Sequence, residues 1–230
     1  MESIFTVRKK VIEICKLMHK NDLVKATDGN ISVRIGENEI LITPSGKSKE
    51  NIEIQDLIVI DFNGKKLSGT MQPSGEFRLH TTIYRYRKDV NAIVHAHPTY
   101  ATAFSVAGLN LMQCVLPEIV LTLGGVPLAD YATLYTEELP QSILKYVDKY
   151  SAILLKNHGV VTFDKDLFSA YYKMEKVEHL AQIIYLAKTL GKVDVLTKEQ
   201  VQSLMKVRER LGLKTPLPDC DSCDKNCEIK

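Results

Sequence analysis

Two of the six histidines in this chain, His95 and His97, stand one residue apart at the end of the apolar run "NAIVHAHP", residues 91–98. On a β-strand side chains alternate faces and each residue advances about 3.3 Å, so this pair shares a face with its backbones about 7 Å apart. Both imidazoles can then turn onto a single ion. A bare pair of this kind is more often two hydrogen-bonded core histidines, and a metal centre needs a further ligand. His158, in "LLKNHGVV", is the candidate. It sits where an apolar strand runs into a turn marked by Gly159, a place from which a side chain reaches a cleft. A catalytic zinc ion commonly keeps three protein ligands and one open position, and three neutral histidines leave the ion its full charge. The same ligands also suit cobalt or manganese. His80 stands four residues after Glu76 on one helical face, a spacing that two metal ligands can use. His19 reads as a surface residue and His179 as a structural one.

Three short polar loops offer a second kind of chemistry: "TDGNIS" at 27–32, "TPSGKS" at 43–48 and "QPSGEF" at 72–77. Hydroxyls, an amide and backbone N–H groups at turns bind phosphate oxygens without a full positive charge. Each loop alone is more often simply a turn, and a phosphate site requires that they converge. The "GKS" at 46–48 is no nucleotide-binding P-loop, because that pattern needs glycine where Leu41 stands, and no GxGxxG motif occurs.

An ordinary folded domain must position these groups. The 230 residues are 45% hydrophobic and 25% charged, enough to enclose a core. A net charge of +2, interspersed lysines and acids, and the lack of tryptophan argue against a nucleic-acid or membrane-binding face. No apolar run approaches the roughly 20 residues that cross a bilayer. Residues 2–20 carry apolar side chains at helical spacing (Ile4, Val7, Val11, Ile14, Met18) rather than a signal peptide's continuous segment, so the expected location is the cytoplasm. Of five cysteines, Cys15 and Cys114 read as buried thiols. Cys220, Cys223 and Cys227 form C-x2-C-x3-C in the tail, one thiolate short of a closed structural zinc site.

Hydrophobic periodicity predicts helices over 2–20, 74–87, 98–108, 136–150, 166–190 and 197–211. Ser74 is the expected N-cap of the second, and Pro98 belongs to the first turn of the third. Strands are expected over 30–35, 39–43, 56–62, 91–97, 151–159 and 160–163. The hairpin-like pair near the N-terminus favours a mixed or antiparallel sheet with helices packed on it. One domain over 1–214 and a cysteine-containing tail over 215–230 is the expected division.

"GNIS", "ITPSG", "PSGEFRLH", "HAHP" and "NHG", in this order and spacing, resemble the class II aldolase/adducin family over about residues 5–212. The resemblance implies an α/β fold: a single three-layer α/β/α domain with a largely antiparallel central sheet. Members usually form cyclic homotetramers with active sites between subunits. His95, His97 and His158 fall on the ligands of one Zn2+ per chain. Glu76 falls on the catalytic acid/base, which can also touch the metal. Thr27, Asn30, Ser45, Gly46, Ser74 and Gly75 fall on or beside the site for the substrate phosphate. The implied reaction is reversible cleavage of a ketose 1-phosphate, of the L-fuculose 1-phosphate kind, to dihydroxyacetone phosphate and an aldehyde. Aldolases of 5-deoxy- or methylthio-pentulose 1-phosphates, a methylthioribulose-1-phosphate dehydratase and the adducin head, a binding module, belong to the same family. Epimerase members typically carry aspartate where Glu76 stands, and the adducin head lacks the complete metal set. Three departures stand out, the first being that the aldolases' C-terminal tyrosine has no counterpart in the tail "LPDCDSCDKNCEIK". Gly75 takes the place of a second serine in the aldolases. Leu116 takes that of a tyrosine contributed across the subunit interface, which makes Glu118, two residues on, a candidate replacement acid. Lys156, beside the candidate site, leaves a Schiff-base aldolase as the chemical alternative.

Overall fold

The computed structural model describes residues 2–213; the three tail cysteines and the expected tail segment lie outside them. Strand alternation decides the architecture. Leu41, Val59 and Val94 join one apolar cluster, while Ile40, Ile42, Ile58, Ile60 and Ile93 join another. Neighbours in sequence thus point to opposite faces, as the two-residue period of a strand requires, and both faces must be covered.

The strands are β1 (Asn30–Arg34), β2 (Glu39–Ile42), β3 (Ile58–Asp61), β4 (Lys66–Ser68), β5 (Ala92–Ala96), β6 (Leu128–Ala129), β7 (Ala152–Leu155) and β8 (Gly159–Asp164). They form one sheet in the order β4-β3-β2-β1-β5-β8-β7-β6. Every pairing is antiparallel except β6 with β7. The helices are α1 (Ile4–Lys20), α2 (Phe77–Tyr86), α3 (Thr99–Val106), α4 (Pro117–Thr122), α5 (Glu138–Ser142), α6 (Leu144–Val147), α7 (Leu167–Leu190) and α8 (Lys198–Arg210). Side chains of α1, α3 and α7 fill the first cluster, and those of α2, α5 and α6 the second. The result is the three-layer α/β/α arrangement with a largely antiparallel sheet. Among the described residues no helix is long and apolar enough to cross a membrane.

The long helix α7 shows how sequence makes an element. Asp166 caps it by accepting the Ser169 N–H at 2.9 Å. Leu167, Ala170, Tyr171, Met174, Val177, Leu180, Ala181 and Ile184 are buried in steps of three and four. Gly191, with φ 150, ends it.

The structure departs from the expected elements in three places. Ser74 does not cap α2: its N–H pairs with the Thr43 carbonyl at 3.1 Å, which ties it to a loop, and the helix starts at Phe77 with Glu76 as its N-cap. The single helix expected over 136–150 is two short ones, because Ile143 has ψ −12 and interrupts the α-helical ladder. Leu139, Ile143 and Val147 still face the sheet four residues apart. The short elements β4, β6 and α4, with 3, 2 and 6 residues, were not anticipated; they are too short to display a period.

Candidate active site

β5 and β8 pair in the middle of the sheet, with His95 opposite Val161. His95 is fully buried and its Nδ1 lies 2.8 Å from the Val160 carbonyl. A carbonyl only accepts, so Nδ1 carries the proton and Nε2 keeps its lone pair. His97 follows on the same face. Its Nδ1 approaches the Asp28 carboxylate at 3.5 Å, and its Nε2 lies 3.1 Å from His95 Nε2. Just beyond, Glu178 on α7 receives the N–H groups of Tyr100 and Ala101 at 2.9 and 2.8 Å, pinning the start of α3. His158 comes from the β7–β8 turn. Asn157 makes that turn by adopting φ 58, a left-handed conformation that asparagine tolerates better than most residues. Gly159 lets the strands close: a Cβ there would sit 2.5 Å from the Ala96 carbonyl oxygen and 2.6 Å from His97 Cδ2.

The three imidazoles can each offer one ligand atom within 4.8 Å of the others. Glu76 completes the group, with Oε2 3.3 Å from His95 Nε2 and Oε1 3.1 Å from His158 Nε2. Four ligands about 2.0–2.1 Å from a tetrahedral ion lie about 3.3–3.4 Å from one another. The contacts His95–His97, His158–Glu76 and His95–Glu76, at 3.1, 3.1 and 3.3 Å, lie near that figure, and the donor set of three imidazoles and a carboxylate fits a divalent ion. Burial pushes the His95 imidazole well below its ordinary range, against the pull of Glu76. Burial and neighbouring His158 also lower His97. Burial alone would raise the Glu76 carboxyl, but His95, His158 and the Asn30 N–H hold it well below the usual carboxylate range.

The three polar loops converge. Pro44 and Pro73 form an antiparallel bridge, and the Ser45 N–H donates to the Gln72 carbonyl at 3.0 Å. Thr43 Oγ1 accepts the Ile31 N–H at 3.1 Å. Lys49 Nζ, buried, donates to the carbonyls of Thr27 and Lys47 at 2.9 and 3.0 Å and joins the first loop to the second. Thr27, Ser45 and Gly46 are exposed, whereas Ser74 and Asn30 are buried. Ser74 Oγ accepts the Glu76 N–H at 3.3 Å. Asn30 Nδ2 donates to Glu76 Oε2 at 2.6 Å.

The Class II Aldolase and Adducin N-terminal domain matches residues 9–185. The chain belongs to the class II aldolase and adducin family. It is 36% identical over 179 residues to the L-fuculose phosphate aldolase of Methanococcus maripaludis, covering 78% of this chain and 96% of that one. It is 31% identical over 206 residues to the 5-deoxy-D-ribulose 1-phosphate aldolase of Bacillus thuringiensis serovar kurstaki, covering 89% and 96%. A solved structure of an L-fuculose 1-phosphate aldolase superposes with a TM-score of 0.83 at 35% identity, over 91% of this chain and 98% of that one.

Within this class II aldolase the other candidate residues are placed as follows. Glu118 is exposed on the first turn of α4. Lys156 is exposed on the β7–β8 turn. His80 is fully buried and bonded to Asn30 and Ser32, so it stands behind Glu76 rather than among the three clustered histidines. Gly75 has a reason that the family comparison does not supply. A Cβ there would lie 2.6 Å from Cδ1 of Tyr135, whose ring fills that space. Tyr135 is 66% exposed and holds φ 64, strained for an aromatic residue. Neither Tyr135 nor Lys49 was singled out from the sequence. Nothing local separates Lys49 from the other basic residues, and only an exposed tyrosine beside the glycine substitution would have flagged Tyr135.

Proposed function

We propose that this class II aldolase cleaves a ketose 1-phosphate reversibly to dihydroxyacetone phosphate and an aldehyde, with one zinc ion per chain held by His95, His97 and His158. One observation carries this reading: the Glu76 carboxylate lies within 3.3 Å of His95 and within 3.1 Å of His158, at the point where the polar loops meet. When bound, the metal supplies Lewis-acid polarisation of the substrate's oxygens. Ser45, Gly46, Ser74, Gly75, Thr27 and Asn30 hold the phosphate end and fix its orientation. In cleavage the bond between C3 and C4 breaks, its electron pair stays on C3 as an enediolate, and the C4 hydroxyl loses its proton as the aldehyde forms. Glu76 delivers a proton to C3, giving dihydroxyacetone phosphate, and removes it in the reverse direction. Its ionised form in the folded protein suits the reverse step. Glu118 of a neighbouring subunit exchanges the proton of the aldehyde-side hydroxyl, in a homotetramer whose sites lie between subunits. The expected setting is cytoplasmic carbohydrate metabolism.

The 5-deoxy-D-ribulose 1-phosphate aldolase relative favours a second reading of the same chemistry, with a 5-deoxy-pentulose 1-phosphate as the substrate. Purified protein is to be offered a panel of ketose 1-phosphates, including L-fuculose 1-phosphate and 5-deoxyribulose 1-phosphate, and release of dihydroxyacetone phosphate scored. Release from one of them is the expected result. Loss of water without carbon–carbon cleavage would replace the aldolase with a dehydratase, and no reaction with any would favour a binding module.

A further inference from the structure

Behind Glu76 runs a buried polar chain that the proton transfer described above leaves unexplained. Tyr84 Oη lies 2.9 Å from Ser32 Oγ, and Ser32 Oγ lies 2.7 Å from His80 Nδ1. His80 Nε2 lies 2.5 Å from Asn30 Oδ1, and Asn30 Nδ2 donates to Glu76 Oε2 at 2.6 Å. Asn30 is 3% exposed, and Ser32, His80 and Tyr84 are 0% exposed. The chain alternates between β1 and the α2 region like a zipper. Two residues of strand advance about 6.6 Å and four residues of helix about 6 Å. Asn30 and Ser32 on one element therefore keep step with Glu76, His80 and Tyr84 on the other.

The direction of every hydrogen follows from one end. An ionised Glu76 only accepts, so Asn30 must turn its amino group toward it. Asn30 Oδ1 then faces His80 and also only accepts, so His80 Nε2 carries the proton. In a neutral imidazole Nδ1 is then an acceptor, which takes the Ser32 hydroxyl hydrogen and leaves Ser32 Oγ to accept from Tyr84. A flipped Asn30 amide would set oxygen against oxygen at Glu76 and N–H against N–H at His80.

We propose that His80, locked in its Nε2–H tautomer by Ser32 and Tyr84, is a positioning residue. It fixes the Asn30 amide and, through it, the orientation of the Glu76 carboxylate. The inference rests on Glu76 being the base, as proposed above.

Three measurements test it. Nitrogen-15 NMR of the metal-loaded protein should show His80 protonated at Nε2 and bare at Nδ1; the opposite tautomer, or a doubly protonated ring, overturns the proposal. His80→Met removes the donor at similar bulk. Its kcat should fall by about 10–100-fold, as when outer partners that orient a site's ligands are lost, with metal content unchanged. His80→Gln, whose amide again offers a donor and an acceptor, should recover most of that kcat. Equal losses in both variants, or metal content falling in step with kcat, would reduce His80 to a packing residue. If His80→Met does not fold, Ser32→Ala replaces it: a lower kcat at unchanged metal content supports the chain, and wild-type kcat overturns it. A wild-type protein that cleaves no ketose 1-phosphate would sink the aldolase reading by itself, whereas the tautomer, read without substrate, tests the chain separately.

Discussion

Replacing Glu76 by glutamine keeps the size of the side chain and most of its hydrogen bonding but removes the basic oxygen. General acid/base catalysis typically contributes about 10²–10⁴-fold, so cleavage should fall by that order. Exchange of the dihydroxyacetone phosphate C3 proton with solvent deuterium should fall in parallel, while bound zinc survives on three histidines. Wild-type exchange in Glu76→Gln would remove Glu76 from the role of base. Gly159 is the complementary case, a residue that works by what it lacks. Its neighbours at 2.5 and 2.6 Å are a backbone carbonyl and the His97 ring, and the carbonyl is fixed in the sheet. Gly159→Ala should therefore cost about 1–3 kcal/mol in urea unfolding, the range for overpacked sites, and weaken metal binding through His97. Unchanged stability together with unchanged metal affinity would show that the strands can part there at little cost.

The contact between β1 and α2 makes an acid-sensitive element. Burial pushes the His80 imidazole down to about 4 from an ordinary 6.5. Above pH 6.5 the ring is neutral in both folded and unfolded chains and adds no pH dependence. As pH falls from 6.5 toward 4 only the unfolded chain takes up the proton, so stability drops, by up to about 3 kcal/mol. His80→Gln should flatten that part of the profile, measured as urea midpoints of metal-free protein between pH 7 and 5; equal slopes in both would assign the acid sensitivity elsewhere. The partners that create this element were only half legible in the sequence. The two-residue period placed His95 and His97 on one face, and the four-residue period joined Glu76 to His80. Both are local patterns. That His80 would meet Asn30, 50 residues away, rather than a metal ion, depends on strand order, which no local pattern reports. The same holds for Lys49 bridging two loops and for Tyr135 filling the space beside Gly75. The helix over 136–150 was legible as an apolar stripe but not as two pieces, because the stripe survives the break at Ile143.

At the scale of the whole molecule the metal and the assembly are the testable features. Chelation should abolish cleavage and lower the unfolding temperature, since an ion that binds only the folded chain stabilises it by mass action; added zinc should restore both. Full activity after chelation would instead favour Lys156, and borohydride trapping with substrate would then label it. Glu118→Gln should slow cleavage while light scattering and zinc content stay at wild-type values; unaltered turnover would return Glu118 to a structural role. The sheet order has a further consequence. Strand β5, which carries His95, and β8, which begins just after His158, lie in the interior of eight, flanked on both sides, whereas Thr27, Ser45 and Gly46, the residues proposed to meet the substrate phosphate, lie on exposed connections between elements. Interior strands open only with the whole fold, and exposed loops open locally at little cost. The two halves of the proposed site therefore keep different clocks: amide hydrogens of Ile93–Ala96 and Val160–Phe163 should outlast those of 27–29 and 45–48 in deuterium exchange by orders of magnitude, so that a phosphate held as proposed would meet a surface that adapts at those loops while the reacting carbons would meet one that does not.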